Sequence, residues 1–140
     1  PCDAAVLVAA VADWKVKPSR TKLKKSDGPP VLKFEPNPDI LATLASHPLR
    51  PQLLVGFAAE TDDLAANADA KRAAKGADWI VANDVSGEVM GGANNQVRLV
   101  TAHGAEDWEI ATKEAVAARL VSQIADALRT SGSWDRPAAE

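Results

Sequence analysis

The side chains best placed to do chemistry in this chain are cations with no acid beside them. From Lys15 to Lys25 the sequence reads KVKPSRTKLKK, with Lys15, Lys17, Arg20, Lys22, Lys24 and Lys25 and no acid before Asp27. These 11 positions hold 6 of the 16 basic residues. Lys71 and Lys75 are spaced i, i+4, so on a helix they point the same way. Like charges that close disfavour each other unless an anion lies between them. A single carboxylate, Asp13, ends the apolar run AAVLVAAVADW (Ala4 to Trp14) just ahead of the basic loop. One acid delivered by a strand and followed by a polycation suits a polyphosphate and its metal ion. The ordinary alternatives are a solvated loop and lysines stabilising a helix C-terminus. The second is strongest for Lys75, which precedes Gly76.

Other polar groups can be sorted by where strands end. The turn Asn37-Pro38-Asp39-Ile40 sits at a helix start, where free backbone N–H groups and the positive end of the dipole can meet an anion. A plain capped helix explains the same residues, because Asp39 already supplies negative charge there. Phe57, one of two phenylalanines, follows Gly56 at a strand end and suits either a base-pocket wall or a core aromatic. Asp13, Glu60 and Asn83-Asp84 all fall at strand ends and would face one crevice. His47 and His103 lie in loops, and Cys2 has no nearby base, so none of the three is given a role. Gly87, Gly91 and Gly92 match neither a dinucleotide fingerprint nor a phosphate-cradling P-loop.

Positioning these groups requires strands and helices in alternation. Four runs read as strands: Ala5–Ala10, Val31–Phe34, Leu53–Ala58 and Trp79–Ala82. Continuous apolar runs of this kind suit a parallel sheet buried on both faces. Helices are expected over Pro38–Ser46, with Asn37 as N-cap and Pro38 at the first helical position. A second is expected from Asp62 or Asp63 to Lys75, ending at Gly76. A third runs from about Thr112 to Arg129, with Val116, Leu120, Ile124 and Leu128 as its core stripe. Gln96–Thr101 and Trp108–Ala111, joined through His103-Gly104, read as a hairpin. The pattern predicts an α/β fold: a three-layer, Rossmann-like, mostly parallel sheet with a C-terminal β-hairpin and helix, binding its ligand at the C-terminal strand ends. Residues 131–140 read as a polar tail.

Composition bounds the rest. The 140 residues suffice for one domain with a proper core. Net charge is −3, split as +3 over residues 1–50 (8 basic, 5 acidic) and −6 over residues 51–140 (8 basic, 14 acidic). A nucleic-acid binder is usually basic over a whole face, so the local polycation fits a small anionic ligand better. One cysteine and two separated histidines build neither a disulfide framework nor a Cys/His metal site. No run approaches the ~18–20 apolar residues of a membrane span, and no signal peptide is visible. A cytoplasmic location is expected. The chain opens on Pro1 and runs almost at once into a strand, which suggests the C-terminal part of a larger domain.

Several separated strings then add a resemblance. AAVADW (9–14), KLKK (22–25), NPDIL (37–41), GFAAET (56–61), the pair Lys71 and Lys75, and ANDVS (82–86) occur in that order. Together they resemble bacterial phosphopantothenate–cysteine ligase, the synthetase domain of the bifunctional coenzyme A biosynthesis flavoprotein, over most of residues 4–129. The resemblance implies an enzyme using CTP and a divalent cation, Mg²⁺ or Mn²⁺. It would activate the carboxylate of 4′-phosphopantothenate as an acyl-cytidylate, and the amine of cysteine would then displace CMP. Leu7, Val8 and Ala9 would present backbone to the nucleotide, and Asp13 would bind its ribose or metal-linked part. Lys22 would be the catalytic flap lysine. Pro38, Asp39, Ile40 and Leu41 would offer the helix start to the triphosphate, and Phe57, Lys71 and Lys75 would complete the pocket. Residues 1–130 would be the C-terminal portion of a nucleotide-binding ligase domain.

Family members are homodimers, with the hairpin at Gln96–Ala111 as the expected dimer element. FMN would enter only through a preceding decarboxylase domain. The family also carries an N-terminal glycine-rich stretch that binds substrate, which these residues do not contain. A non-catalytic nucleotide-binding or dimerisation fragment is therefore the alternative. A flavin or NAD module is disfavoured by the lack of a GxGxxG after the first strand.

Overall fold

The computed structural model describes residues 2–60, 64–84 and 94–130. In chain order its elements are β1 (Ala4–Leu7), β2 (Trp14–Val16), β3 (Phe34–Pro36), α1 (Ile40–Ala45), β4 (Leu53–Glu60), α2 (Leu64–Lys75), β5 (Trp79–Asp84), β6 (Asn94–Asn95), β7 (Val97–Thr101), β8 (Gly104–Asp107), β9 (Ala111–Thr112) and α3 (Lys113–Thr130). Five strands form one sheet in the order β1-β4-β5-β7-β8. β1, β4 and β5 run parallel, and β7 and β8 join antiparallel. The sheet is thus mixed, a parallel core completed by a hairpin.

Alternation along β4 and β5 sends side chains to both faces, and each face is covered. Val55, Val81, Val97 and Leu99 pack with Trp108 and with Val116, Leu120 and Leu128 of α3. On the other face Ala58, Ile80, Ala82 and Val100 pack with Ala68 of α2 and Leu41 of α1. Leu54, Val55, Ile80 and Val81 have no exposed surface, and each such side chain contributes about 1.5–3 kcal/mol. This is the three-layer arrangement, and among the described residues no helix is long and apolar enough to cross a membrane.

Three expectations are corrected. The strand over Ala5–Ala10 is short, ends at Leu7 and is not buried: among the described strands β1 pairs only with β4, and Val6 is 40% and Val8 61% exposed. The strand over Val31–Phe34 is displaced to Phe34–Pro36 and lies outside the main sheet. It pairs antiparallel with Trp14–Val16, a strand hidden in the sequence by the basic loop that follows it. Lys15 meets Glu35 at 3.4 Å on one side of this ribbon. The second hairpin strand is Gly104–Asp107, not Trp108–Ala111: the Trp108 N–H still donates to Val97, at 2.8 Å, but its ring turns into the core. Ala111–Thr112 pairs instead with Asn94–Asn95.

Helix ends follow local chemistry. α1 starts two residues later than expected, and its N-cap is Asp39, not Asn37. Asn37 is engaged elsewhere: its N–H donates to Asp13 at 2.8 Å and its Nδ2 to Ala12 at 2.7 Å. Pro38 therefore lies before the helix. α2 ends on Gly76 at φ +67, the left-handed position glycine adopts without strain. The expected start of α2 at Asp62 or Asp63 lies outside the described residues, as does the expected tail at 131–140. Thr112 caps α3, accepting from the Ala115 N–H at 3.2 Å. At the N-terminal strand ends, Asp78 accepts from Arg50 at 2.9 Å and from the Leu54 N–H at 2.7 Å. That ties two turns together on the side away from the crevice described next.

Candidate functional site

A crevice of about 400 Å³ opens at the C-terminal ends of β1, β4 and β5. Ligands bind at this end of an open α/β sheet, where strand order permits a gap between connections. Its walls include Leu7, Val8, Ala9 and Asp13 from the first strand and its exit, Pro38, Asp39, Ile40 and Leu41 from the start of α1, Phe57 from β4, and Lys71 and Lys75 from α2. These are all the residues that the resemblance assigns to the nucleotide except Lys22. Lys22 lies on the exposed loop between β2 and β3 and does not line the crevice.

Local bonding explains the convergence. Asn37 closes the β2–β3 ribbon and clips the exit of β1 to the start of α1 through its two bonds to Ala12 and Asp13. Gly56 lets α1 sit on the sheet. A Cβ there would lie 2.7 Å from Leu41 Cδ2 and 2.9 Å from Ile80 Cδ1, closer than packed atoms come. Phe57, half-buried, points to the α3 side and packs partly against the core there.

The cationic wall is partly neutralised by the protein itself. Asp39 Oδ1 accepts from the Ala42 N–H at 3.0 Å, and Oδ2 accepts from Lys75 Nζ. The Ala42 N–H first, and then Lys75, hold the Asp39 carboxyl below the usual carboxylate range. One orphan donor of the helix start is therefore already used, and an incoming anion must compete with Asp39 for Lys75.

For a divalent cation, Asp13 and Asp39 are the carboxylates lining the crevice. No cluster of three or more His, Cys, Asp or Glu exists among the described residues. Mg²⁺ keeps several waters and takes one or two carboxylates together with substrate phosphates. The donor set fits a cation that arrives with a polyphosphate, and does not fit a resident ion in a protein cage.

Asn83, expected from its strand end to face the crevice, lines it, as do Asn37 and Gly56. The signal for Asn83 was present: a polar residue immediately after the buried run Trp79–Ala82.

An open α/β sheet with helices on both faces and a crevice with a lysine-bearing wall at its strand ends defines a Rossmann-like domain. The chain belongs to the DNA/pantothenate metabolism flavoprotein C-terminal domain family, whose model matches residues 1–128. It is 37% identical over 134 residues to the coenzyme A biosynthesis bifunctional protein CoaBC of Bacillus subtilis, covering 93% of this chain and 33% of that protein. It is 38% identical over 127 residues to a cysteine/cysteine sulfinic acid decarboxylase of an unknown prokaryotic organism, covering 88% and 35%. Among solved structures, the C-terminal domain of a CoaBC protein superposes with a TM-score of 0.67 at 32% identity, over 89% of this chain and 55% of that one. The chain spans about a third of the length of the curated relatives it matches.

Proposed function

We propose that this chain is the nucleotide-binding portion of a phosphopantothenate–cysteine ligase of coenzyme A biosynthesis, with CTP as its nucleotide. The observation that supports this best is the meeting of three separate segments, at Leu7–Asp13, Pro38–Leu41 and Phe57 with Lys71 and Lys75, in one crevice. Kinship with CoaBC proteins over nearly the whole chain supports the substrate class.

In this reading the triphosphate enters beside Lys71 and Lys75. Lys75 exchanges its Asp39 partner for phosphate oxygens, and both lysines offset charge as pyrophosphate leaves. A divalent cation held by Asp13 and Asp39, when bound, would neutralise further charge on the phosphates. The carboxylate of 4′-phosphopantothenate attacks the α-phosphate, giving the acyl-cytidylate. The amine of cysteine then attacks its carbonyl, forming the amide and releasing CMP. Lys22 must move to take part, and its place in the loop joining β2 to β3 gives it the reach of a flap. Closure excludes water that would hydrolyse the mixed anhydride. Preorganised donors of this kind are each typically worth about 10²–10³ in rate.

We place the homodimer contact on the β2–β3 ribbon and not on the β7–β8 hairpin, which is part of the main sheet. Trp14, Val16 and Phe34 are 62%, 43% and 62% exposed, and the pairing Val16↔Phe34 and Trp14↔Pro36 puts them on one face. Lys15 and Glu35 occupy the other. A two-stranded ribbon alone is marginal in water, and a second copy would cover this face.

The test is pyrophosphate release by the full-length protein given 4′-phosphopantothenate and Mg²⁺, with CTP or ATP, with and without cysteine. CTP-dependent release, with amide formed only when cysteine is present, is the expected result. No release with either nucleotide would reduce the crevice to a non-catalytic binding site.

A further inference from the structure

A second cavity, of about 270 Å³, lies at the opposite end of the sheet from the crevice. It is built from the start of β4, the turn between α2 and β5, the β7–β8 turn and the end of α3. Leu53 and Leu128, both buried, and the half-buried Trp79 give it an apolar floor. Its walls carry two opposite charges, Arg72 and Asp78.

The Ala77 N–H donates to the Arg72 carbonyl at 3.1 Å, so the turn that ends α2 brings Asp78 back toward Arg72. Among the described residues no ion pair joins the two, and each is only partly spent. The Arg72 side chain is 19% exposed, and its Nε donates to Asp69, one helical turn back, at 3.1 Å. Nothing among the described residues meets the Nη groups of its planar fork. Asp78 accepts from Arg50 and from the Leu54 N–H, both on Oδ2, and no donor among the described residues meets Oδ1. A largely buried guanidinium with unmet donors costs free energy, and such groups in native proteins call for a reason. Its fork matches a carboxylate, a carboxylate oxygen matches an ammonium, and an apolar floor with a few convergent polar groups is the usual build of a small-molecule site.

We propose that this cavity binds a free α-amino acid with an apolar side chain: Arg72 takes its carboxylate, Asp78 Oδ1 its ammonium, and Trp79, Leu53 and Leu128 its side chain. A ligand carrying only an anion would set its charge near Asp78, and one carrying only a cation would set it near Arg72, so the zwitterion is the favoured charge pattern. The site stands apart from the crevice and does not rest on what the crevice binds.

The experiment is calorimetric titration of the full-length protein with L-leucine, and with N-acetyl-L-leucine and 3-methylbutylamine, which lack the ammonium and the carboxylate respectively. Leucine should bind saturably, and each analogue at least about ten-fold more weakly, the loss of a hydrogen-bonded charge. Arg72→Gln should weaken leucine by a similar factor, and Arg72→Lys, which keeps the charge without the fork, by less. Saturating Mg·CTP should change leucine affinity by less than about two-fold. The analogue series is read on the wild type, so it decides even where Arg72→Gln does not fold. No saturable leucine binding, or affinity unchanged in Arg72→Gln, would overturn the site. N-acetyl-L-leucine binding as well as leucine would overturn the zwitterion, and competition by CTP would move the leucine into the crevice.

Discussion

Asp39 performs two tasks that substitution can separate. Its Oδ1 caps α1 through the Ala42 N–H, and its Oδ2 holds Lys75. Asn caps as well as Asp does, so Asp39→Asn keeps the cap and removes the ion pair, whereas Asp39→Ala removes both. The pair is exposed, with 36% of the Lys75 side chain and 38% of the Asp39 side chain in solvent, so its loss should cost no more than about 0.5 kcal/mol. The cap adds about 1 kcal/mol. Asp39→Asn should therefore lower Tm by ~2 °C or less, and Asp39→Ala by ~4–6 °C, for a chain of this length. The pH dependence has a definite sign. The folded carboxyl is depressed, so its stabilisation is fully present above the unfolded value near 3.9. It is lost as pH falls through the lower folded value. The gap between wild type and Asp39→Ala should be largest at pH 7 and narrow, without closing, as pH falls through the depressed folded value, because the protonated carboxyl can still accept from the Ala42 N–H.

The same carboxylate competes with any incoming anion for Lys75. Asp39→Asn should thus bind inorganic tripolyphosphate in EDTA about two- to ten-fold more tightly, an effect that shrinks as salt screens the site. Equal melting points for Asp39→Asn and Asp39→Ala would refute the cap. Weaker tripolyphosphate binding by Asp39→Asn would show that Asp39 is not Lys75's competitor but a group the anion needs.

Other outcomes follow from single contacts. Lys22→Gln should abolish ligation by the full-length protein with Tm unchanged, because its side chain makes no contact in the crevice; normal turnover would remove Lys22 from catalysis. Asp13→Asn should weaken Mg·CTP binding by calorimetry, and an unchanged affinity would exclude this carboxylate. Gly56→Val should destabilise the domain by about 1–3 kcal/mol through overpacking against Leu41 and Ile80, read as a denaturation midpoint shift at constant m. Trp14→Lys together with Phe34→Lys should convert a dimer to a monomer by light scattering without lowering Tm by more than a few degrees; a persistent dimer would place the contact elsewhere.

The parts of the molecule legible in the sequence were those where one face or one cap decides. β4, β5 and α3 carry strong periodic or continuous apolar signals, and Gly76 marks the end of α2. The convergence of the crevice residues was legible because strand ends collect at one edge of a parallel sheet. What was hidden depended on partners distant in sequence. β1 reads as buried because Val6 and Val8 are apolar, yet an edge strand has a neighbour on one side only, and composition does not report which strand is the edge. β2 was masked by lysines that alternate outward along a ribbon whose other face is apolar. The capping of α1 turned on competition: Asn37 and Asp39 are both good caps, and the tertiary bonds of Asn37 to Ala12 and Asp13 left the task to Asp39. That choice also shapes the site. With Asp39, the protein places a negative charge inside its own anion crevice, so tight polyphosphate binding requires either displacement of that charge or a cation to bridge it. If the crevice binds a nucleotide as proposed, metal dependence of that binding would follow from the capping of one six-residue helix.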